Sequence, residues 1–298
     1  MSQVVLQADS LTKRFGDFTA LSRCEIKICE GEVVGLLGPN GSGKTTLLRL
    51  ILGFLQPTEG TALVQGLDCY RQRVQIHRLI SYLPGDARLF RTMRAKQVVR
   101  FFSDIREDSD YEMAEEVAAR LELDLNRWVA FMSTGMRQKL ALAVCLSTRA
   151  PILLLDEPTA NLDPSVRGEV LQLVRQARDE GRTVIFSSHV LSEIEETCDR
   201  VLILRKGQLV HDQSITDLKR QHRIRAKLVG KLPEIPDGLK PELSVVQQGD
   251  KIQIETPAQL SLVMSWLAQA PLDDVHIEPI SLRAIYDRFH SDWVEDDS

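Results

Sequence analysis

The octapeptide Gly38-Pro39-Asn40-Gly41-Ser42-Gly43-Lys44-Thr45 limits the fold more than any other feature, because it matches G-x-x-x-x-G-K-[ST]. It follows a short apolar run, Glu32 to Leu37, that reads as a strand, and it opens a helix-like stretch, Lys44 to Leu55. In that context the glycines let the backbone curl so that successive N–H groups point inward, and the following helix adds the positive end of its dipole. Such a loop holds a multiply charged anion. Lys44 then reaches the β and γ phosphates of a nucleoside triphosphate, and Thr45 offers its hydroxyl to the Mg²⁺ that accompanies it. Thr46 belongs to the same expected binding set.

Around this loop the chain alternates. Strand patterns precede it at Val4 to Leu11 and Cys24 to Ile28, and return at Ile152 to Leu155 and Thr183 to Phe186 on either side of the helical Val166 to Glu180. That is the signature of a parallel sheet with crossover helices. From about 86 to 150 the pattern is helical, over Met93 to Ile105, Ser109 to Asp124 and Ser133 to Leu146. A hairpin is expected over Val201 to Val210, around Lys206-Gly207. The expected fold class is therefore α/β: a P-loop NTPase core with a parallel or mixed sheet and a helical subdomain at 1–217, plus a small α+β domain at 218–298. In the tail, strands are expected at Ile224 to Val229, Leu243 to Gln247, Ile252 to Glu255 and Val275 to Ile277, with helices over Ala258 to Ala270 and Ser281 to Phe289.

Composition removes several classes. With 37 basic and 42 acidic residues among 298 the net charge is −5, which argues against a nucleic-acid binder. The longest unbroken apolar run, Leu140 to Leu146, is far short of a membrane span. The start, MSQVVLQADSLTKRFG, lacks the pattern of a secretory signal, so a chain that stays in the cytoplasm is expected. Five scattered cysteines (Cys24, Cys29, Cys69, Cys145, Cys198) contain no C-x-x-C pair, which points to reduced thiols rather than a disulfide framework or a zinc site.

A second constellation closes the strand Ile152-Leu153-Leu154-Leu155 with Asp156-Glu157. Burying a carboxylate without a cation or donor is costly, so Mg²⁺ is the natural partner. Asp156 is then the metal-side carboxylate and Glu157 the one that polarises an attacking water; adjacent strand residues point to opposite sides, so the two need not share one task.

With these elements in this order the chain resembles the nucleotide-binding subunit of an ABC transporter. Four further segments carry the resemblance. Ser133-Thr134-Gly135-Met136-Arg137-Gln138-Lys139 stands where the family's signature opens a helix, which implies that Ser133 and Gly135 contact the γ phosphate of ATP held by an opposite protomer in a head-to-tail dimer. Asn161-Leu162-Asp163 stands at the D loop, although Asp163-Pro164 equally reads as a helix cap. His189, after Ser187-Ser188, matches the switch histidine, and Phe15 falls where the family stacks an aromatic ring on adenine.

Two departures stand out. Gly85 occupies the position where the family usually has a glutamine that serves Mg²⁺, and the neighbouring Asp86 is the candidate substitute. The signature has Met132, Thr134 and Met136 in place of the commonest leucine, glycine and glutamine. Both features, with the closing Ile280 to Phe289 stretch, resemble an exporter branch whose ATPase is a separate polypeptide. The resemblance implies ATP and Mg²⁺ as cofactors, a separate transmembrane permease as partner, and an ATP-dependent homodimer or a heterodimer with a second ATPase. It places the chain peripherally on the cytoplasmic side of the cell membrane. Alternatives are a nucleotide-binding regulator with little hydrolysis and a soluble ABC ATPase outside transport. The run Arg88, Arg91, Arg94, Lys96, Arg100 has no acid until Asp104, and it reads either as a solvated face or as a dock for an acidic partner segment or anionic lipid headgroups.

Overall fold

The computed structural model describes residues 3–241, 243–257 and 259–290. The chain divides into two compact units, Met1–Asp212 and Gln213–Ser298.

In the first unit two long strands, β1 (Val4–Phe15) and β2 (Phe18–Cys29), pair antiparallel through several register shifts. They extend the expected strands because their alternating apolar residues, among them Leu6, Ala8, Leu21, Ile26 and Ile28, all pack on one buried face. β3 (Val33–Leu37) is buried at every position and leads through the glycine loop into α1 (Lys44–Ile51). Here the structure shortens the expected helix. Gly53 takes φ 67°, and a Cβ there would lie 2.1 Å from the Cys69 carbonyl oxygen, so the helix stops and the chain turns where only glycine fits.

The segment that follows carries β4 (Glu59–Val64), β5 (Leu67–Asp68), α2 (Arg73–Leu79) and β6 (Ile80–Leu83). Of these, β4 and β5 join the first sheet, in the order β2-β1-β4-β5. The helical region consists of α3 (Ala95–Ile105), α4 (Tyr111–Arg120) and α5 (Thr134–Leu146). α4 starts where Asp110 accepts hydrogen bonds from the Glu112 and Met113 amides, an N-cap that the acidic stretch supplies.

β7 (Ile152–Asp156), α6 (Pro164–Asp179), β8 (Thr183–Ser188), α7 (Leu191–Thr197), β9 (Arg200–Arg205) and β10 (Gln208–Ser214) complete the alternation. The second sheet runs β10-β9-β3-β8-β7-β6, with β9, β3, β8, β7 and β6 parallel to their neighbours. Lys206 and Gly207 both take positive φ in the turn between β9 and β10, as the expected hairpin requires. This order places the site. β3, β7 and β8 are adjacent and parallel, so the loops after all three leave from one carboxyl edge of the sheet. Asp156 is in register with Ser187, and Leu37 with Ser188.

The second unit begins with α8 (Ile215–Arg220) and forms an antiparallel sheet in the order β12 (Ser244–Gln248), β13 (Lys251–Thr256), β11 (His222–Leu228), β14 (Leu272–Pro279). Its core joins Ile224, Ile252 and Ile254 to Val263, Trp266 and Leu267 of α9 (Leu260–Leu267), and α10 (Leu282–His290) closes the described chain. The expected helix from Ala258 is thus shorter, and Ala258 itself lies outside the described residues. Among the described residues no helix is long and apolar enough to cross a membrane. All five cysteines are free; four are buried and Cys29 is half-buried.

Candidate nucleotide-phosphate site

A cleft of about 1000 Å³ opens at the carboxyl edge of the second sheet, lined by Asn40 to Thr46, Asp156, Glu157 and His189. Lys44 is only 6% exposed, and its Nζ donates to the Gly38 carbonyl at 2.6 Å and the Pro39 carbonyl at 3.2 Å. Burial draws its pKa below the ordinary lysine value, while Glu157, 4.0 Å away, and Asp156 act in the opposite direction. Gly43, at φ 108°, makes the last bend before α1; a Cβ there would lie 2.8 Å from the Ala20 carbonyl oxygen. Within the loop the Ser42 Oγ is buried without a hydrogen-bond partner among the described residues, a hydroxyl suited to a phosphate oxygen.

Thr45 Oγ1 donates to Asp156 Oδ2 at 3.0 Å, and Ser187 Oγ donates to Asp156 Oδ1 at 2.7 Å. The same Ser187 oxygen accepts from the Glu157 amide at 2.9 Å. That amide belongs to a strained residue: Glu157 has φ 52°, a left-handed conformation that costs a non-glycine residue about 1–3 kcal/mol. Ser187 pins it from one side, and Gln138 Nε2 from the other, through the Glu157 and Pro158 carbonyls at 3.3 and 3.4 Å. The kink separates the two carboxylates. Asp156 faces Thr45 and Ser187, whereas Glu157 faces Lys44 and His189, whose Nδ1 lies 2.8 Å from Glu157 Oε2. A carboxylate only accepts, so this contact requires the proton on Nδ1.

The paired oxygens of Thr45 and Asp156 are hard donors of the kind a divalent Mg²⁺ takes, and the donor set fits that ion. At Gly85 a Cβ would lie 3.6 Å from Asp156 Oδ2, so this position abuts the carboxylate without reaching it. Asp86 also borders the cleft, but its carboxylate is largely exposed and taken up locally: its Oδ2 accepts from Arg88 Nε at 3.0 Å. Tyr82 lines the cleft too, its phenol pushed up to about 12 by burial, with the Asp156 charge adding to the effect.

Ser133, Gly135 and Asp163 lie outside the lining of this cleft and belong to a second cluster. Ser133 Oγ caps α5 by accepting from the Met136 amide at 3.2 Å. Gly135 abuts the loop before α6 so closely that a Cβ would lie 2.5 Å from the Asn161 carbonyl oxygen. Asp163 precedes Pro164 at the start of α6, yet its side chain makes no capping bond, so the helix-cap reading of this residue holds by position alone. Phe15 is half exposed, with Lys13 Nζ 5.0 Å from its ring centroid; its register partner across the β1–β2 turn, Phe18, is a lining residue of the cleft. Phe18, Gln138 and Ser187 are contributors that sequence reasoning missed. For Ser187 the signal was a hydroxyl pair ending an apolar strand, and its register with Asp156 emerges only from the sheet.

Comparison with known proteins places the chain among ATP-binding cassettes. The ABC transporter family model matches residues 21–160, and a model described as an AAA domain, putative AbiEii toxin, Type IV TA system, matches residues 126–195. The uncharacterized ABC transporter ATP-binding protein YdbJ of Bacillus subtilis is 32% identical over 218 residues, 72% of this chain and 71% of that protein. The probable multidrug ABC transporter ATP-binding protein YbhF of Escherichia coli is 34% identical over 224 residues, which make up 74% of this chain but only 39% of that protein. Among solved structures, a dimeric ATP-binding cassette in a post-hydrolysis state, bound to ADP and Pi, matches with a TM-score of 0.65 and 25% identity, covering 70% of this chain and 98% of that one.

Proposed function

The chain belongs to the ABC transporter family and is an ATP hydrolase, and from that premise we propose that it powers an exporter whose permease is a separate polypeptide. The observation that carries this reading is the convergence of Lys44, Thr45, Asp156, Glu157 and His189 on one cleft. The loop amides from Gly38 to Thr45 and the Lys44 ammonium bind the triphosphate. Thr45 and Asp156 hold Mg²⁺, which when bound neutralises charge on the β and γ phosphates. Glu157 accepts the proton of the attacking water, and the His189 N–H fixes the orientation of that carboxylate. Phe15, whose register partner Phe18 lines the cleft, stacks on the adenine ring.

Ser133, Gly135 and Asp163 serve the site of an opposite protomer, in a homodimer or in a heterodimer with a second ATPase. ATP favours the closed pair because both protomers touch its γ phosphate, and hydrolysis removes that contact. The multidrug name of YbhF supports the export direction. Residues 1–217 act as the nucleotide-binding domain and 218–298 as an accessory domain, with the whole held peripherally at the cytoplasmic face of the membrane through the permease.

The test is the ATPase rate of Glu157→Gln. Loss of a general base lowers the rate by about 10² to 10⁴ with nucleotide binding retained. An unchanged rate overturns the assignment.

A further inference from the structure

We propose that the surface formed by Arg91, Arg94, Lys96, Trp128 and Phe131 docks directly on the anionic headgroups of a lipid bilayer. The fold assembles this surface from two separate stretches. The Ala95 amide donates to the Arg127 carbonyl at 2.9 Å and the Lys96 amide to the Leu125 carbonyl at 2.8 Å, which lays the segment before α5 along the start of α3. The Arg94 guanidinium stacks on the Trp128 ring, 4.9 Å from its centroid, and its Nη1 donates to the Asn126 carbonyl at 2.6 Å. Arg91 and Lys96 are exposed, and neither forms an ion pair among the described residues. Trp128 is 40% and Phe131 74% exposed, and the Phe131 amide donates to the Trp128 carbonyl at 3.0 Å, which sets the two residues in one turn.

Within the chain this arrangement is unfavourable. Arg94 at the N-cap and Lys96 in the first turn put positive charge at the positive end of the α3 dipole, and that first turn carries no acid. An external anion removes that conflict. Its form follows from the grooves these residues do not line. A peptide helix is received in a groove, yet none of these five residues lines the phosphate cleft or the neighbouring groove of about 360 Å³ between Phe54, Tyr82 and Phe102. A planar interface suits them better: the rings sit at headgroup depth while the Arg and Lys heads meet lipid phosphates. With a net charge of −5, the chain as a whole is repelled by an anionic membrane, so binding requires this local patch.

The inference deepens the peripheral location proposed above, but its test needs neither permease nor ATP, so the two readings fail separately. The full chain is sedimented with vesicles of phosphatidylcholine alone and of phosphatidylcholine containing phosphatidylglycerol, at low and high salt. Binding is expected only to the phosphatidylglycerol vesicles, weakening with salt, with a blue shift of tryptophan emission that Trp128→Phe abolishes. A cation near such a surface is worth about fivefold in binding and a reversal removes one attraction and adds one repulsion, so the Arg91→Glu/Lys96→Glu pair lowers binding by about a hundredfold or more. Phe131→Ser weakens it without changing the charge, and the ATPase rate in solution is unchanged in both variants. No binding, equal binding to neutral vesicles, or binding that survives the double reversal overturns the proposal. So does a double variant that binds lipid normally but loses permease-containing membranes, because the patch then contacts protein.

Discussion

Replacing Ser187 with alanine tests the link between the two carboxylates. Ser187 is fully buried and holds two groups at once, donating to Asp156 at 2.7 Å and accepting from the Glu157 amide at 2.9 Å. Losing a bond to a charged acceptor costs about 1.5–3 kcal/mol and leaving an amide unpaired about 1–3 kcal/mol, so the variant loses about 2.5–6 kcal/mol. For a unit of this size each kcal/mol lowers Tm by about 2–4 °C, so a fall of about 5–24 °C is expected in a thermal melt. The ATPase falls with it, and half-maximal activity requires more Mg²⁺, because Asp156 keeps only Thr45 as a described side-chain donor. Ser188→Ala supplies the comparison: it loses the bonds to Glu193 at 2.7 Å and from the Val190 amide at 3.0 Å, with a similar loss of Tm but an unchanged Mg²⁺ requirement. A Ser187→Ala protein that melts within about one degree of the parent, with the same Mg²⁺ dependence, refutes this account of the strand end.

Two further outcomes are expected. Gly135→Ala pushes a methyl group to within 2.5 Å of the Asn161 carbonyl, so the second cluster shifts and ATPase activity falls while nucleotide binding by the phosphate loop is retained; loss of binding instead would contradict the separation of the two clusters. Burial holds the Lys44 pKa below its ordinary 10.5, whereas bound phosphate raises it by favouring the ammonium form. Binding therefore takes up a proton once pH passes the free-protein value, and nucleotide affinity falls as pH rises while still below 10.5. A fluorescent-nucleotide titration measures this, and an affinity that stays flat up to that pH contradicts it.

The phosphate loop, the strand-end carboxylates and His189 were legible in the sequence because each is a local pattern: glycines at fixed spacing, an apolar strand ending in acids, a histidine after a core strand. Contacts made across the sheet were not. Ser187 matters through its register with Asp156, and Gln138 through carbonyls on a distant loop, and neither relation leaves a periodic trace. The left-handed Glu157 was hidden too, since nothing local demands that backbone; it is imposed by bonds from two other elements. The end of α1 was readable in principle from Gly53, but the apolar run to Leu55 masks the stop, because Phe54 and Leu55 follow it directly. That Phe18 joins the cleft lining was hidden as well, since Phe15 and Phe18 flank one tight turn and their pairing emerges only in the sheet.

The most direct test of the account is light scattering on Glu157→Gln with and without Mg²⁺-ATP, with Lys44→Ala as the control that lacks the phosphate-binding ammonium. The account predicts that the Glu157 variant doubles its mass with ATP and that the Lys44 variant does not, because the closed pair needs an intact triphosphate held by both protomers. A Glu157→Gln protein that binds ATP yet remains monomeric contradicts the assignment of Ser133, Gly135 and Asp163 to an opposite protomer's site.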